Sequence, residues 1–351
     1  MKLLRPMIAT CVALALAASA AAGGFKDPLD LAAQPSALAS QSLLQGVTRA
    51  GDRLVAVGQR GHIVVSADAG KTWQQASVPV SSDLTAVFFA TGRKGWAVGH
   101  DGVILATEDG GATWQVALDG RRANQALVDD LSRKPETEAN KALLAEARRN
   151  VEQGADKPFL DVWFADERTG YAIGAYNLIF RTDDGGRTWT PWFDRTDNPK
   201  LLNLYSIRPA AGQLFIAGEG GLVLKLDPSA QRFRAVELAY TGALFGVTGD
   251  ATNVVVFGLR GNAFRSDDAG KTWKKADTAL PASIVASTSA GSTILLADMS
   301  GRISRTTDGG RSWEPVRVAV SMMVAGIADA GAGQLALAGT RGVVVTSTQP
   351  R

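Results

Sequence analysis

Short apolar runs of Val, Ile, Leu and Ala alternate with Gly- and Asp-bearing turns from Leu43 to Thr346. Runs of that length, bounded by such turns, predict β-strands. Seven times an apolar strand ends in Gly or Ala, makes a short polar turn and meets a second apolar strand: LVAVGQRGHIVV from Leu54, GWAVGHDGVILA from Gly95, GYAIGAYNLIFR from Gly170, LFIAGEGGLVLK from Leu214, VVVFGLRGNAFR from Val254, ILLADMSGRISR from Ile294 and LALAGTRGVVVT from Leu335. A further apolar run precedes each pair, at residues 43–47, 84–89, 159–164, 201–207, 243–247, 283–286 and 323–327.

An octet follows five of these pairs: SADAGKTW from Ser66, TEDGGATW from Thr107, TDDGGRTW from Thr182, SDDAGKTW from Ser266 and TTDGGRSW from Thr306. Its Asp residues, Asp68, Asp109, Asp184, Asp268 and Asp308, can accept hydrogen bonds from backbone N–H groups a few residues on, and its Gly supplies a positive φ. The octet is therefore a turn between antiparallel strands. The closing Trp73, Trp114, Trp189, Trp273 and Trp313 pack between neighbouring sheets. The octet lacks the alternating carboxylates and terminal Glu of a calcium loop, so it reads as structural.

Each unit thus holds strands A, B and C, the octet, then strand D, at a period near ~40 residues, which describes a propeller blade. The fold class is all-β, a seven-bladed β-propeller. Unit four carries LDPSAQRF in place of the octet, with Phe233 standing for Trp, and the apolar pattern of unit seven stops after strand C. Residues 28–34 are the candidate for its fourth strand, closing the ring. Trp114 to Trp189 spans 75 residues, so one interval carries an insertion, residues 119–157, between blades two and three. Residues 123–131 and 137–153 lack Gly, have Leu143, Leu144, Ala147 and Val151 at helical spacing, and predict two helices split by Pro135 that pack on the host domain.

The first residues change the compartment. Lys2 and Arg5 precede an apolar run from Met7 to Ala17 and then small residues, the pattern of a secretory signal cleaved near Ala20 or Ala22. We therefore expect residues 1–22 to be a signal peptide and 23–351 the mature propeller, exported to the periplasmic or extracytoplasmic side, membrane-associated in one version of that reading. The apolar run is shorter than the ~20 residues of a spanning helix, and no other stretch approaches it. Cys11, the single cysteine, leaves with the signal. Losing Lys2 and Arg5 turns 37 basic against 34 acidic residues into 35 against 34, so no nucleic-acid partner is implied. Two His, no mature Cys and no HExxH argue against a zinc site, and no Walker loop or GxSxG elbow is present. No cofactor or metal is expected.

The octets resemble the Asp-box, or BNR, repeat of sialidases, sortilin-like receptors, some glycanases and the photosystem II stability/assembly factor family. Residues 42–348 are most similar to the last, in blade number, chain length and export signal. That resemblance implies a non-enzymatic assembly factor, here taken as a monomer, that binds membrane-protein complexes or their assembly intermediates through an arginine-rich surface. The helical insertion departs from the plain photosynthetic pattern.

Propeller geometry places the B–C and D–A connections on one face and the A–B connections and octets on the other. The B–C tips carry Arg60 in blade one, His100 and Asp101 in two, Tyr176 and Asn177 in three, Glu219 in four, Arg260 in five, Arg302 in six and Arg341 in seven. Arg60, Arg260, Arg302 and Arg341 would form an arc suited to acidic groups of a partner, opposite the insertion. Arg181, Arg265 and Arg305 lie at the octet face and brace the repeats, and His62 is a satisfied strand residue. The alternative is a sialidase-type glycoside hydrolase or a glycan-binding propeller. A hydrolase would draw on Arg260, Arg302, Arg341, Glu219 and Tyr240, but the Arg208-Pro209 pair lacks the intervening residue of the sialidase motif.

Overall fold

Among the described residues the apolar runs form seven antiparallel sheets, six of four strands and one of three, each with its strands hydrogen-bonded in chain order. The computed structural model describes residues 26–320 and 322–348, so the expected signal, residues 1–22, lies outside them. Blade one runs Leu44–Ala50 (A), Arg53–Gly58 (B), Ile63–Ser66 (C) and Gln74–Gln75 (D). Blade seven has Val324–Gly331, Gln334–Gly339 and Gly342–Ser347. Strands A of successive blades touch all the way round, blade seven meeting blade one. These strands line a narrow central channel of about 170 Å³.

Seven buried clusters, counted among the described residues, fill the seven gaps between adjacent blades. Between blades one and two, Val55, Val57 and Ile63 of one sheet meet Leu84, Ala97 and Trp114 of the next. Both faces of a blade are thereby covered, which is why its B strand is continuously apolar rather than alternating.

The octet delivers its aromatic residue to the preceding blade. In blade two, Thr107 Oγ1 donates to Asp109 Oδ1 at 2.9 Å and accepts the Gly111 N–H. Asp109 in turn accepts the N–H groups of Ala112 and Thr113 and the Thr113 hydroxyl, at 2.6 Å. Gly111 sits at φ 92°, left-handed as the turn requires, against Val55 and Val65 of blade one. Trp114 Nε1 donates to the Gly111 carbonyl at 2.9 Å, and its ring meets Phe89 edge to face. Trp114 and Trp189 are buried, whereas Trp73, Trp273 and Trp313 are half-buried. Phe233, fully buried against Tyr171 of blade three, does replace Trp in blade four.

The fourth strand of blade seven is a correction. Residues 28–34 do not pair with it. Asp27 accepts the Leu29 N–H, Pro28–Asp30 forms a 3-10 turn, and the Ala33 N–H donates to the Val78 carbonyl of blade one. Ion pairs from Arg121 to Asp27 and Asp30 hold this segment beside blades one and two. The ring closes instead by face packing of Val47, Leu54 and Ala56 on Ala328, Ala336 and Ala338, with Ala39 of the turn Ala39–Gln41 buried between them.

The insertion is the expected pair of helices, α1 (Gly120–Ser132) and α2 (Glu138–Gln153). Asp119 and Thr137 cap their N-termini by accepting the Arg122 and Asn140 N–H groups. The pair packs on its host: α1 touches blade three, and Lys134 pairs with Asp194 at 2.7 Å.

Replacing buried Trp114 with Ala is expected to destabilise the chain by about 3–5 kcal/mol, and Trp273→Ala by less, as read by urea denaturation. The octet carboxylates also set an acid limit. Hydrogen bonds from the Thr72 hydroxyl, the Thr72 N–H and the Ser66 hydroxyl hold Asp68 at about 2. At Asp109 and Asp184 burial pushes the carboxyl up, and hydrogen bonds led by Thr113 and Thr188 outweigh it, leaving both at about 2. The Thr272 and Ser312 hydroxyls lower Asp268 and Asp308 further. Each folded pKa lies below the unfolded value of ~3.9, so this stabilisation is complete above it and is lost as the pH falls towards ~2. The denaturant midpoint should drop across that interval, and less steeply in a variant with all five changed to Asn.

Candidate functional site

The B–C tips are rigid and tied to the neighbouring connections. Strand B of blade one ends at Gly58, where a Cβ would lie 2.3 Å from the Leu43 carbonyl, and the next N–H, of Gln59, donates to that same oxygen. The equivalent bond recurs from His100 to Asp83, Glu219 to Asn203, Leu259 to Ala243 and Thr340 to Met323. D–A side chains fix the following residue: Asp83 Oδ1 accepts the Arg60 N–H at 2.7 Å, Asn203 Oδ1 that of Tyr176 and Ser283 Oγ that of Arg260. The B–C and D–A connections therefore share a face, as expected, and Gly110 and Gly185 of the octets bond the A–B carbonyls of Arg93 and Arg168 on the other.

Arg60 and Arg260 both sit at φ 56°, where blade four places Gly220. A left-handed backbone costs a non-glycine residue roughly 1–2 kcal/mol. Arg341 occupies a two-residue turn between Gly339 and Gly342. Arg302 lies one place past the left-handed Gly301, its N–H donated to Asp298 Oδ1, so it aligns with His62 rather than with Arg60.

All four arginines are exposed. Among the described residues, none of their guanidinium groups has an ion-pair or hydrogen-bond partner. The three arginines just before the octets differ: Arg181 pairs with Asp183, Arg265 with Asp267 and Arg305 with Glu314. Arg260 and Arg302 meet at one open cavity of about 730 Å³, which Lys275 and Asp277 also line. Arg60 and Arg341 hold the matching tips of blades one and seven.

The other tips differ. His100 and Asp101 form the turn of blade two, Asp101 at φ 56°. Tyr176 is 65% exposed, but Asn177 is buried, bonded to the Phe193 carbonyl, Thr196 and Asn198. Glu219 accepts the Asn203 N–H, and the Tyr240 hydroxyl points at the Leu259 carbonyl, so both are engaged with backbone rather than gathered with the arginines. His62 is buried and bonded to Ser42 Oγ at 3.0 Å. Among the described residues there is no cluster of three or more His, Cys, Asp or Glu that could hold a metal ion, and no helix long and apolar enough to cross a membrane.

Sequence reading missed one charged pair. Asp161, 6% exposed, accepts from Arg208 at 2.7 Å and from the Ile207 N–H, joining the A strands of blades three and four at the channel. Burial pushes its carboxyl up against the pull of Arg208. A lone charge inside the apolar run FLDVWF was the available signal.

The sequence matches the family described as "Photosynthesis system II assembly factor YCF48" over residues 25–108, 65–129 and 141–279. No curated protein matches it. Among solved structures, one described as "YCF48 bound to D1 peptide" is similar at TM-score 0.63 and 16% identity, covering 89% of this chain and 95% of that one. YCF48 from Cyanidioschyzon merolae gives TM-score 0.63 and 16% identity, with 90% and 97% covered. The WD40 β-propeller domain of Doa1 gives TM-score 0.61 and 8% identity, with 92% and 97% covered. At these identities the likeness is one of fold.

Replacing Arg208 with Met leaves the Asp161 carboxylate buried and unpaired, at an expected cost of about 3–5 kcal/mol. Because burial raises the pKa of Asp161, the deficit should grow as the pH rises through that pKa. Adding Asp161→Asn should recover part of it at the high-pH end of urea titrations and little at the low-pH end, where Asp161 is already neutral.

Proposed function

Because the chain belongs to the photosynthesis system II assembly factor YCF48 family, we propose that it is an exported, non-enzymatic scaffold that docks on membrane-protein partners or their assembly intermediates through its arginine-bearing tips. The observation that carries this reading is the set of arginines on the tip face. Arg181, Arg265 and Arg305, on the C strands just before the octets, pair with neighbouring carboxylates, while Arg60, Arg260, Arg302 and Arg341 stand exposed on tied-down tips, two of them in strained backbone. Strain held at an exposed charged residue points to use rather than to stability.

A guanidinium presents a planar fork of donors matched to carboxylates, so acidic loops or tails of a partner are the chemistry this face suits. A relative described as "YCF48 bound to D1 peptide" supports a peptide segment as the kind of ligand. Export rests on the leader-like residues 1–22, and it would place the scaffold on the periplasmic or extracytoplasmic side of a membrane, where such loops are presented.

Changing Arg60, Arg260, Arg302 and Arg341 together to Ala is expected to leave the β-sheet circular dichroism and thermal transition intact. Losing one charge-assisted hydrogen bond costs ~1.5–3 kcal/mol, so the apparent affinity for a detergent-solubilised membrane-protein client should fall on the order of tenfold or more. Client capture at low salt that matches wild type would reject the reading.

A further inference from the structure

Among the described residues, blade seven is open where every other blade is closed. In blades one to six a D strand covers the outer edge of strand C. Those outer edges are themselves blunted: Pro191 and Pro315 stand in blades three and six, and Arg232, Arg234, Lys274 and Lys275 in blades four and five. The Gln75 side chain of blade one is bonded to Gln34 and Ser36, and strand D of blade two leads into the insertion. Blade seven ends on Gly342–Ser347, GVVVTS, which carries neither charge nor proline. Proteins seldom leave such an edge unguarded unless something pairs with it.

A second observation lies on blade six. The octet of each blade, or LDPSAQRF in blade four, covers the residue three places before the end of the preceding B strand, and those residues, Val55, Trp96, Tyr171, Phe215, Val255 and Ala336, are at most 4% exposed. Their counterpart Leu295, which a seventh octet would cover, is only half-buried. The same holds one strand out. The Arg305 side chain is 47% exposed, against 15% for Arg265 and 20% for Arg181 at the equivalent places. Leu295 and Val344 border the same apolar gap between blades six and seven.

We propose that this edge and notch form a docking site for an extended segment of a partner protein that completes blade seven. The segment places an aromatic side chain against Leu295, pairs antiparallel with residues 345 to 343, and ends on a carboxylate beside Arg341. Direction and register follow from the other blades. In blade five, Ala276, Lys275 and Lys274 pair with Ala263, Phe264 and Arg265, the counterparts of Val343, Val344 and Val345. The Ile63 carbonyl, at the place of Val343, accepts the N–H of Ala76 from outside the sheet, so Val343 and Val345 turn their backbone groups to the open edge. An antiparallel strand finishes at the tip face, where Arg341 stands exposed and, among the described residues, unpaired. A second copy of the chain is the weaker fit, since a ladder this short falls well below the ~1,200 Å² of a stable interface. An added strand needs only main-chain pairing and a side-chain pocket. The site shares Arg341 with the arginine face and is otherwise separate from it.

The probe is a labelled synthetic peptide, SDDAGKTWKKAD, copying Ser266 through Asp277 of this chain, titrated into the full-length protein by fluorescence anisotropy. Saturable binding is expected, with fast amide hydrogen exchange at Val343 and Val345 in the free monomer and slowed exchange in the complex. Val345→Pro removes one outward N–H and should weaken binding about tenfold. Leu295→Ser, on the half-exposed face of another blade, and a peptide with Trp changed to Ala should each weaken it too, while Arg260→Ala with Arg302→Ala should leave it unchanged. Exchange already slow in the free chain would mean that its own residues or a second copy cover the edge, and would overturn the proposal. So would full-strength binding to both Val345→Pro and Leu295→Ser, or loss of binding only when Arg260 and Arg302 are removed.

Discussion

The ring depends on one repeated contact, the large apolar side chain at the end of each octet seated on the B and C strands of the blade before it. Among the described residues no strand ladder continues from one sheet to the next, and apart from isolated backbone bonds such as that from the Trp114 N–H to the Ser77 carbonyl the disc is held by side-chain packing through seven gaps. The hydrogen bonds of the octet matter because they aim that side chain. Asp109 and Thr107 fix the turn, the turn fixes Gly111 against Val55 and Val65, and Trp114 enters the same buried cluster as Val55. Where the turn is rewritten, as at Phe233, the contact survives with a different ring and a different Asp, Asp227, bonding the Ser229 and Ala230 N–H groups.

Much of this was legible because it is local or periodic. Gly, Asp and Trp at fixed spacing report turn chemistry that needs no tertiary information, and the insertion announced itself through helical spacing and the absence of Gly. What was not legible depends on pairs distant in the chain. Residues 28–34 look like a strand by composition, yet Asp27 and Pro28 favour a local turn and Arg121, some ninety residues on, supplies the charge that keeps it there. Asp161 and Arg208 could be seen as odd charges in apolar runs, but only the ring brings them together. Asn177 reads as a tip residue and is instead the centre of a buried amide network. Placing four arginines on one face needed only the connection order, whereas their inequivalent backbone settings needed coordinates.

The two faces differ in their chemistry. On the octet side, Arg181, Arg265 and Arg305 are each held by a neighbouring carboxylate. On the tip side, the helical hairpin leans on blade three, and between the two lies a groove of about 610 Å³ lined by Leu127, Leu143, Tyr176, Phe193 and Leu201. Across the disc from it stand the unpaired guanidinium groups. A partner meeting this face would find an apolar feature on one side and cationic ones on the other, which fixes its orientation as well as its position.

The join between blades seven and one has a mechanical consequence. Every other pair of adjacent sheets is tethered by the chain passing directly between them, but this pair is latched by the 3-10 turn around Ala39 and by side-chain packing alone, with Leu54, Val64 and Trp73 of blade one set against Ala336, Ala338 and Val343 of blade seven. Spreading the disc there would break neither a strand ladder nor a covalent link. Thermal breathing of the molecule should therefore be concentrated at that one seam, which makes it a clasp on an otherwise stiff bracelet.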